Sequence, residues 1–128
     1  MTTTLLGKPL KRRDAEPKVR GAARYTDDLA LPGLLHARLV TSPHAHAHII
    51  RIDTRAASQL PGVVAVLTGQ DLLLPGPEPA ERARHLLARD KAIFAGQPVA
   101  IVVADSPYTA ADAAELVSVE YEELPAVV

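Results

Sequence analysis

The pattern of this 128-residue chain predicts an α+β domain, and three observations carry that reading. Short apolar runs rich in β-branched residues recur near residues 34–40, 47–53, 63–67 and 99–104, the length and composition of strands. A helix signal stands between the last of these and a further alternating run: Asp105-Ser106-Pro107 starts it, and Ala110, Ala113, Ala114 and Val117 follow at i, i+3, i+4, i+7 spacing. The strand–helix–strand unit 99–122 admits parallel pairing through a right-handed crossover, whereas the first half suits antiparallel pairing, so the expected sheet is mixed.

The elements follow in order. Residues 1–18 read as an irregular basic arm, interrupted by Pro9 and Pro17, and 19–128 as a single domain. Asp27-Asp28 and then Pro32-Gly33 mark turns, in which the carboxylates bond their own backbone and Gly accepts the positive dihedral. Residues 34–40 and 47–53 are paired strands turned at Pro43, and the apolar positions of the second run change side between Ile49 and Ile50. Asp53 or Thr54 caps a short helix over 55–60, which Pro61-Gly62 ends. Residues 63–67 form a buried strand, and a single turn covers 70–73. Residues 74–90 are an insertion expected to be the most mobile and exposed part, with a modest helix at 80–88 whose Leu86 and Leu87 point inward. Strands at 91–94 and 99–104 flank Gly96-Gln97-Pro98. The run from Val99 to Ala104 is apolar without alternation, which predicts a central strand covered on both faces. Val117, Val119 and Tyr121 alternate with Ser118, Glu120 and Glu122, a strand with an acidic outer face that also discourages edge pairing.

Composition excludes several functions. The chain is 48% hydrophobic but holds one Phe, three Tyr and no Trp, so the core is aliphatic and stacking platforms for nucleic acid are lacking. A net charge of −1 gives no overall field for nucleic acid or membrane. The charge is uneven: Lys8, Lys11, Arg12, Arg13, Lys18 and Arg20 crowd the start, and six acids without a single Lys or Arg lie from Asp105 onward. The absence of Cys removes disulfides, thiolate zinc sites and iron–sulfur ligation from this chain and fits the cytoplasm. No run reaches the length of a membrane span. Arg12-Arg13 is followed by Asp14 rather than an apolar segment, so it is not an export signal.

Candidate chemistry centres on His44, His46 and His48. On a continuous strand the two-residue period places all three imidazoles on one face, as an open metal site needs. Same-side neighbours lie about 6.5–7 Å apart, so the outer two converge poorly without a bend, and no carboxylate stands nearby in sequence before Asp53. His36 is one strand away and His85 lies in the insertion. Ser42 beside His44 lacks a nucleophile elbow. Asp27 with Asp28 is better read as a turn than as an acid–base pair. No G-x-G-x-x-G or phosphate loop is present. The residues alone thus show no complete active site.

The order of segments carries a resemblance. Gly21-Ala22-Ala23-Arg24-Tyr25-Thr26-Asp27-Asp28, Leu31-Pro32-Gly33-Leu34-Leu35-His36-Ala37, Ser42-Pro43-His44-Ala45-His46-Ala47, Pro61-Gly62-Val63-Val64-Ala65-Val66, Thr68-Gly69, Gly96-Gln97-Pro98-Val99-Ala100 and Val119-Glu120-Tyr121-Glu122-Glu123-Leu124-Pro125 follow one another. The series closely resembles the N-terminal α/β-hammerhead domain of the molybdopterin-binding large subunit in the xanthine dehydrogenase/aldehyde oxidase family, which includes carbon monoxide dehydrogenase. The resemblance covers residues 7–128. It implies an α/β-hammerhead fold. It also implies a parent enzyme with molybdopterin-molybdenum, 2Fe-2S clusters and FAD that hydroxylates a carbon centre with water. The family's cofactor segments and catalytic glutamate belong to later domains, so no catalytic or cofactor-binding residue carries over, and Gln97 is not a molybdenum ligand. The family usually has a basic or other polar residue where His48 stands, which makes the third histidine an ordinary surface substitution.

The leading expectation is therefore a non-catalytic structural domain of a molybdenum hydroxylase-type oxidoreductase, as a fragment, split gene product or truncated form, because the apolar end 124–128 reads as cut. Its partners would be the remaining molybdopterin-binding domains and the iron–sulfur subunit, with no nucleic acid and no membrane. The rivals are a stand-alone module binding metal or a small ligand at His44, His46 and His48, and an interaction domain docking through its acidic end.

Overall fold

The computed structural model describes residues 7, 9, 11–72 and 86–126, which fall into two compact units, 1–32 and 33–128. In the first unit, a one-turn helix α1 (Ala15–Val19) stands where the sequence reading has irregular chain. Ion pairs Lys18–Asp14 and Arg20–Glu16 at i, i+4 spacing explain it, since residues one helical turn apart face each other. A 3₁₀ turn at Thr26–Asp28 is closed by the Tyr25 N–H donating to the Asp28 carboxylate at 2.8 Å, the turn role expected of these acids.

The second unit contains β1 (His36–Thr41), β2 (Ala47–Asp53), α2 (Arg55–Ser58), β3 (Val63–Thr68), β4 (Lys91–Ala92), β5 (Pro98–Ala104), α3 (Pro107–Glu115) and β6 (Ser118–Glu123). These strands build two three-stranded sheets, β1-β5-β3 and β4-β2-β6. Every pairing is antiparallel. Two pairing expectations are corrected here. β1 and β2 do not pair across Pro43, because β1 runs against β5 and β2 against β6. The strands flanking α3 do not pair in parallel, because β5 and β6 lie in different sheets. The fold class is α+β as expected.

Bulges explain the runs that lack clean alternation. Ile49 opposes Tyr121 and Arg51 opposes Glu120, so Ile50 is the extra residue, and it is exposed. That single insertion lets Ile49 and Ile52 share one side of β2 despite their odd spacing. Val64 is the corresponding extra residue in β3.

The core lies between the first sheet and the helices. Ala100 and Val102 of β5, Ala57 of α2, Ala113 of α3 and Val117 just beyond that helix are buried together, with Val40, Leu60, Val63, Val66, Ile52 and Val119 packed around them. The small face predicted for α3 is the buried one: Ala110 and Ala113 are its buried residues. Side chains this small bring the helix axis close to its sheet, so contact area replaces side-chain bulk. Ser106 starts the helix by accepting from the Thr109 N–H at 3.0 Å, and Pro107 occupies its first turn. Gly62, at φ +89°, takes a conformation other residues avoid, and an added Cβ would meet the Asp105 carboxylate at 2.7 Å. Most of the expected insertion lies outside the described residues, with His85 among them. Of its described end, Leu87 is buried as expected, but Leu86 points into solvent.

Candidate functional site

The histidine segment and the two turns around it form the site that the sequence singles out. β1 ends at Thr41 and β2 begins at Ala47, so His44 and His46 stand on a bend and only His48 is on a strand. The single-face arrangement expected for the three imidazoles is therefore corrected. The cause is Ser42, which is buried and fixes the bend. Its hydroxyl accepts from the His44 N–H at 3.1 Å and donates to the His44 carbonyl at 3.3 Å. Its own N–H donates to the Gln97 carbonyl at 2.9 Å, and its carbonyl accepts from the Gly96 N–H at 2.8 Å.

Gln97 holds the opposing turn. Its buried side-chain oxygen accepts from the Ile93 N–H at 2.7 Å, and its N–H donates to the Phe94 carbonyl at 3.2 Å. These two buried polar side chains thus spend their bonds on backbone, which is how buried polar groups avoid a desolvation penalty. Sequence reasoning placed Gln97 between two strands and excluded it as a metal ligand, without giving its side chain a role. The signal available was a polar side chain between a turn glycine and a fully apolar strand.

Each imidazole has its own environment. His44 Nδ1 lies 3.2 Å from the Glu123 carboxylate, and its ring packs on Tyr121 with centroids 4.9 Å apart. His46 Nδ1 lies 2.7 Å from the Pro125 carbonyl, so it donates there, while the Leu124 N–H donates to the His46 carbonyl at 2.9 Å. Together they clasp the chain as it leaves β6. His48 sits opposite Glu122 and Lys91 in the ladder, on the polar outer face of the second sheet. His36 is at the start of β1, opposite Ala104. Among the described residues, no three His, Cys, Asp or Glu side chains gather as a metal site. The Ser42 hydroxyl faces backbone rather than an imidazole, so no Ser–His pair forms.

The Tyr121 hydroxyl, which sequence reasoning missed, is buried without a hydrogen-bond partner among the described residues. Burial raises its pKa, and the nearby Ser42 side chain offsets this without reaching hydrogen-bond geometry.

A second feature is a cleft of about 390 Å³ lined by Asp53, Arg55, Ala56, Gln59, Leu116 and Ser118. Its charges are committed to each other. Asp53 pairs with Arg55 and Arg51 and also accepts the Arg55 N–H at 3.1 Å, which satisfies the first backbone donor of α2, whose N-cap position is Thr54. The Arg55 side chain, followed by that N–H, holds the Asp53 carboxyl well below the ordinary carboxylate range.

Comparison with known proteins returns chains of this same fold. The chain belongs to the aldehyde oxidase and xanthine dehydrogenase a/b hammerhead domain family, whose profile matches residues 20–125. It is 47% identical to the carbon monoxide dehydrogenase large chain of Afipia carboxidovorans, over 97% of this chain and 16% of that one. It is 40% identical to the xanthine dehydrogenase molybdenum-binding subunit of Escherichia coli O157:H7, over 91% of this chain and 17% of that subunit. The structure of reconstituted CO dehydrogenase from Oligotropha carboxidovorans superposes with a TM-score of 0.81 at 44% identity, covering 95% of this chain and 16% of that one. Quinoline 2-oxidoreductase from Pseudomonas putida 86 also gives 0.81, at 39% identity, covering 98% of this chain and 17% of that one. The chain thus spans about a sixth of the length of these relatives.

Proposed function

We propose that this chain works as a non-catalytic structural domain of a molybdenum hydroxylase-type oxidoreductase, supporting the molybdopterin-binding domains and the iron–sulfur subunit of a cytoplasmic assembly. The parent reaction is hydroxylation of a carbon centre with oxygen from water, with electrons leaving through 2Fe-2S clusters to FAD. The observation that supports this reading most is the match of nearly the whole chain to a small share of large subunits, one of them described as molybdenum-binding. The geometry agrees with it. The polar groups of the histidine bend are engaged with backbone and with one carboxylate.

The residues described do not fit the implied cofactors. The chain has no Cys to ligate iron. It has no glycine-rich phosphate cradle, and among the described residues no gathered metal-ligand set. In the proposed assembly the cofactors belong to its other parts, and no chemical step is assigned to this chain. Among the described residues, no helix is long and apolar enough to cross a membrane.

The test is native purification of the tagged protein, with molybdenum measured by mass spectrometry and the accompanying polypeptide sequence identified. The reading predicts molybdenum in stoichiometric amount, together with large-subunit sequence beyond these 128 residues. A protein that purifies without molybdenum, or whose isolated chain binds zinc at micromolar concentration through His44 and His46, overturns it.

A further inference from the structure

We infer that the apolar face of the β1-β5-β3 sheet turned away from α3 is the surface on which the domain docks to the rest of the large-subunit polypeptide, an inference that rests on the proposed function. The sequence of β5 sets the problem. An uninterrupted apolar strand is built to be covered on both faces, because an antiparallel sheet with one face in water alternates apolar with polar residues. One face of β5 is covered: Ala100, Val102 and Ala104 are fully buried, the first two against the helices.

On the other face Val99 is fully buried, whereas Ile101 and Val103 are only half-buried. Register places Leu39, Ile101 and Leu67 in one row across the sheet, and Ala37, Val103 and Ala65 in the next. All six are apolar. Leu39 is 49% exposed, Ala37 is exposed, and the other four are only half-buried. Leu35, on the approach to β1, is 45% exposed. No charged side chain interrupts these two rows. The outer face of the second sheet has the opposite character, with Lys91, His48 and Glu122 in one row and Arg51 opposite Glu120.

The choice of occupant follows from the size and chemistry of the face. A stable complex between separate proteins buries about 800 Å² per partner and is anchored by aromatic or Arg side chains. Two rows of three aliphatic residues, two of them alanines, offer neither. A cover within the same assembly needs much less intrinsic affinity, because tethering supplies a high effective concentration. The relatives carry this domain in chains of which it forms 16–17%, so each has ample sequence to supply such a cover.

The experiment places photo-leucine site-specifically at Leu39 and at Leu67 in the native assembly, a near-isosteric exchange that leaves the sheet intact. Cross-linked peptides are then read by mass spectrometry. The expected result is cross-links from both positions to large-subunit sequence outside these 128 residues. Cross-links confined to residues 1–32 or 73–85 of this chain, to a second copy of it, or to no peptide at all overturn the inference. If large-subunit sequence is present but unlinked, only this face is wrong. If no such sequence accompanies the domain, the proposed function fails with it. As a second measurement, Leu39→Asp in the native assembly is expected to raise the rate of limited proteolysis of the sequence joining this domain to the rest of the large subunit at least tenfold. An unchanged cleavage rate contradicts the inference.

Discussion

At the scale of single residues, the chain uses its polar side chains to hold backbone. Ser42 and Gln97 lock two turns together, and His44 and His46 hold the segment leaving β6. Tyr121 is the exception, since its buried hydroxyl has no partner among the described residues. An unpaired buried hydroxyl costs stability that its removal recovers. Tyr121→Phe is therefore expected to leave stability unchanged or raise it by up to about 1 kcal/mol. A urea titration checks this, and a loss of stability would reveal a partner for the hydroxyl. Asp53 gives a pH-dependent prediction. Its folded pKa lies well below the ordinary value because of Arg55, so its contribution is fully present above about pH 4 and is lost as pH falls toward the depressed value. Asp53→Asn is expected to be less stable than the parent at pH 7, with the gap in urea midpoint narrowing progressively as pH falls below about 4. An unchanged gap across that range contradicts the assignment.

At the scale of elements, α3 shows how much a short helix depends on its ends. Nine residues with a small-residue face have little intrinsic helical stability in isolation. Packing on β5 and the Ser106 cap supply the rest. Ser106→Ala is expected to cost about 1 kcal/mol, measured as a lower denaturant midpoint with an unchanged slope. This helix was legible in the sequence because its cap, its proline and its apolar spacing are all local signals. The strands were legible for the same reason, and the change of side between Ile49 and Ile50 reflects the bulge that the structure contains. Strand partners were not legible. Pairing His36 with Ala104 and Asp53 with Ser118 joins residues more than sixty apart, and apolar patterning does not say which distant strand lies alongside. The one-turn helix α1 was hidden by two prolines, although the i, i+4 charge pairs that stabilise it were present in the sequence.

At the scale of the whole molecule, the family could be read from the order of segments, whereas the role of the histidine motif could not. Period-two spacing places three imidazoles together only on a continuous strand, and Ser42 bends the chain before the strand begins. The bend depends on Gly96 and Gln97, which lie more than fifty residues away. The proposed function requires that this bend support the domain and take no part in chemistry. The most direct measurement is turnover per bound molybdenum in the intact assembly carrying His44→Ala and His46→Ala together. The expected result is a less stable domain but a turnover within about twofold of the parent, because a group used in proton transfer contributes about 10²–10⁴-fold and a structural one does not. An intact assembly that retains its molybdenum but loses about a hundredfold or more in turnover would contradict it.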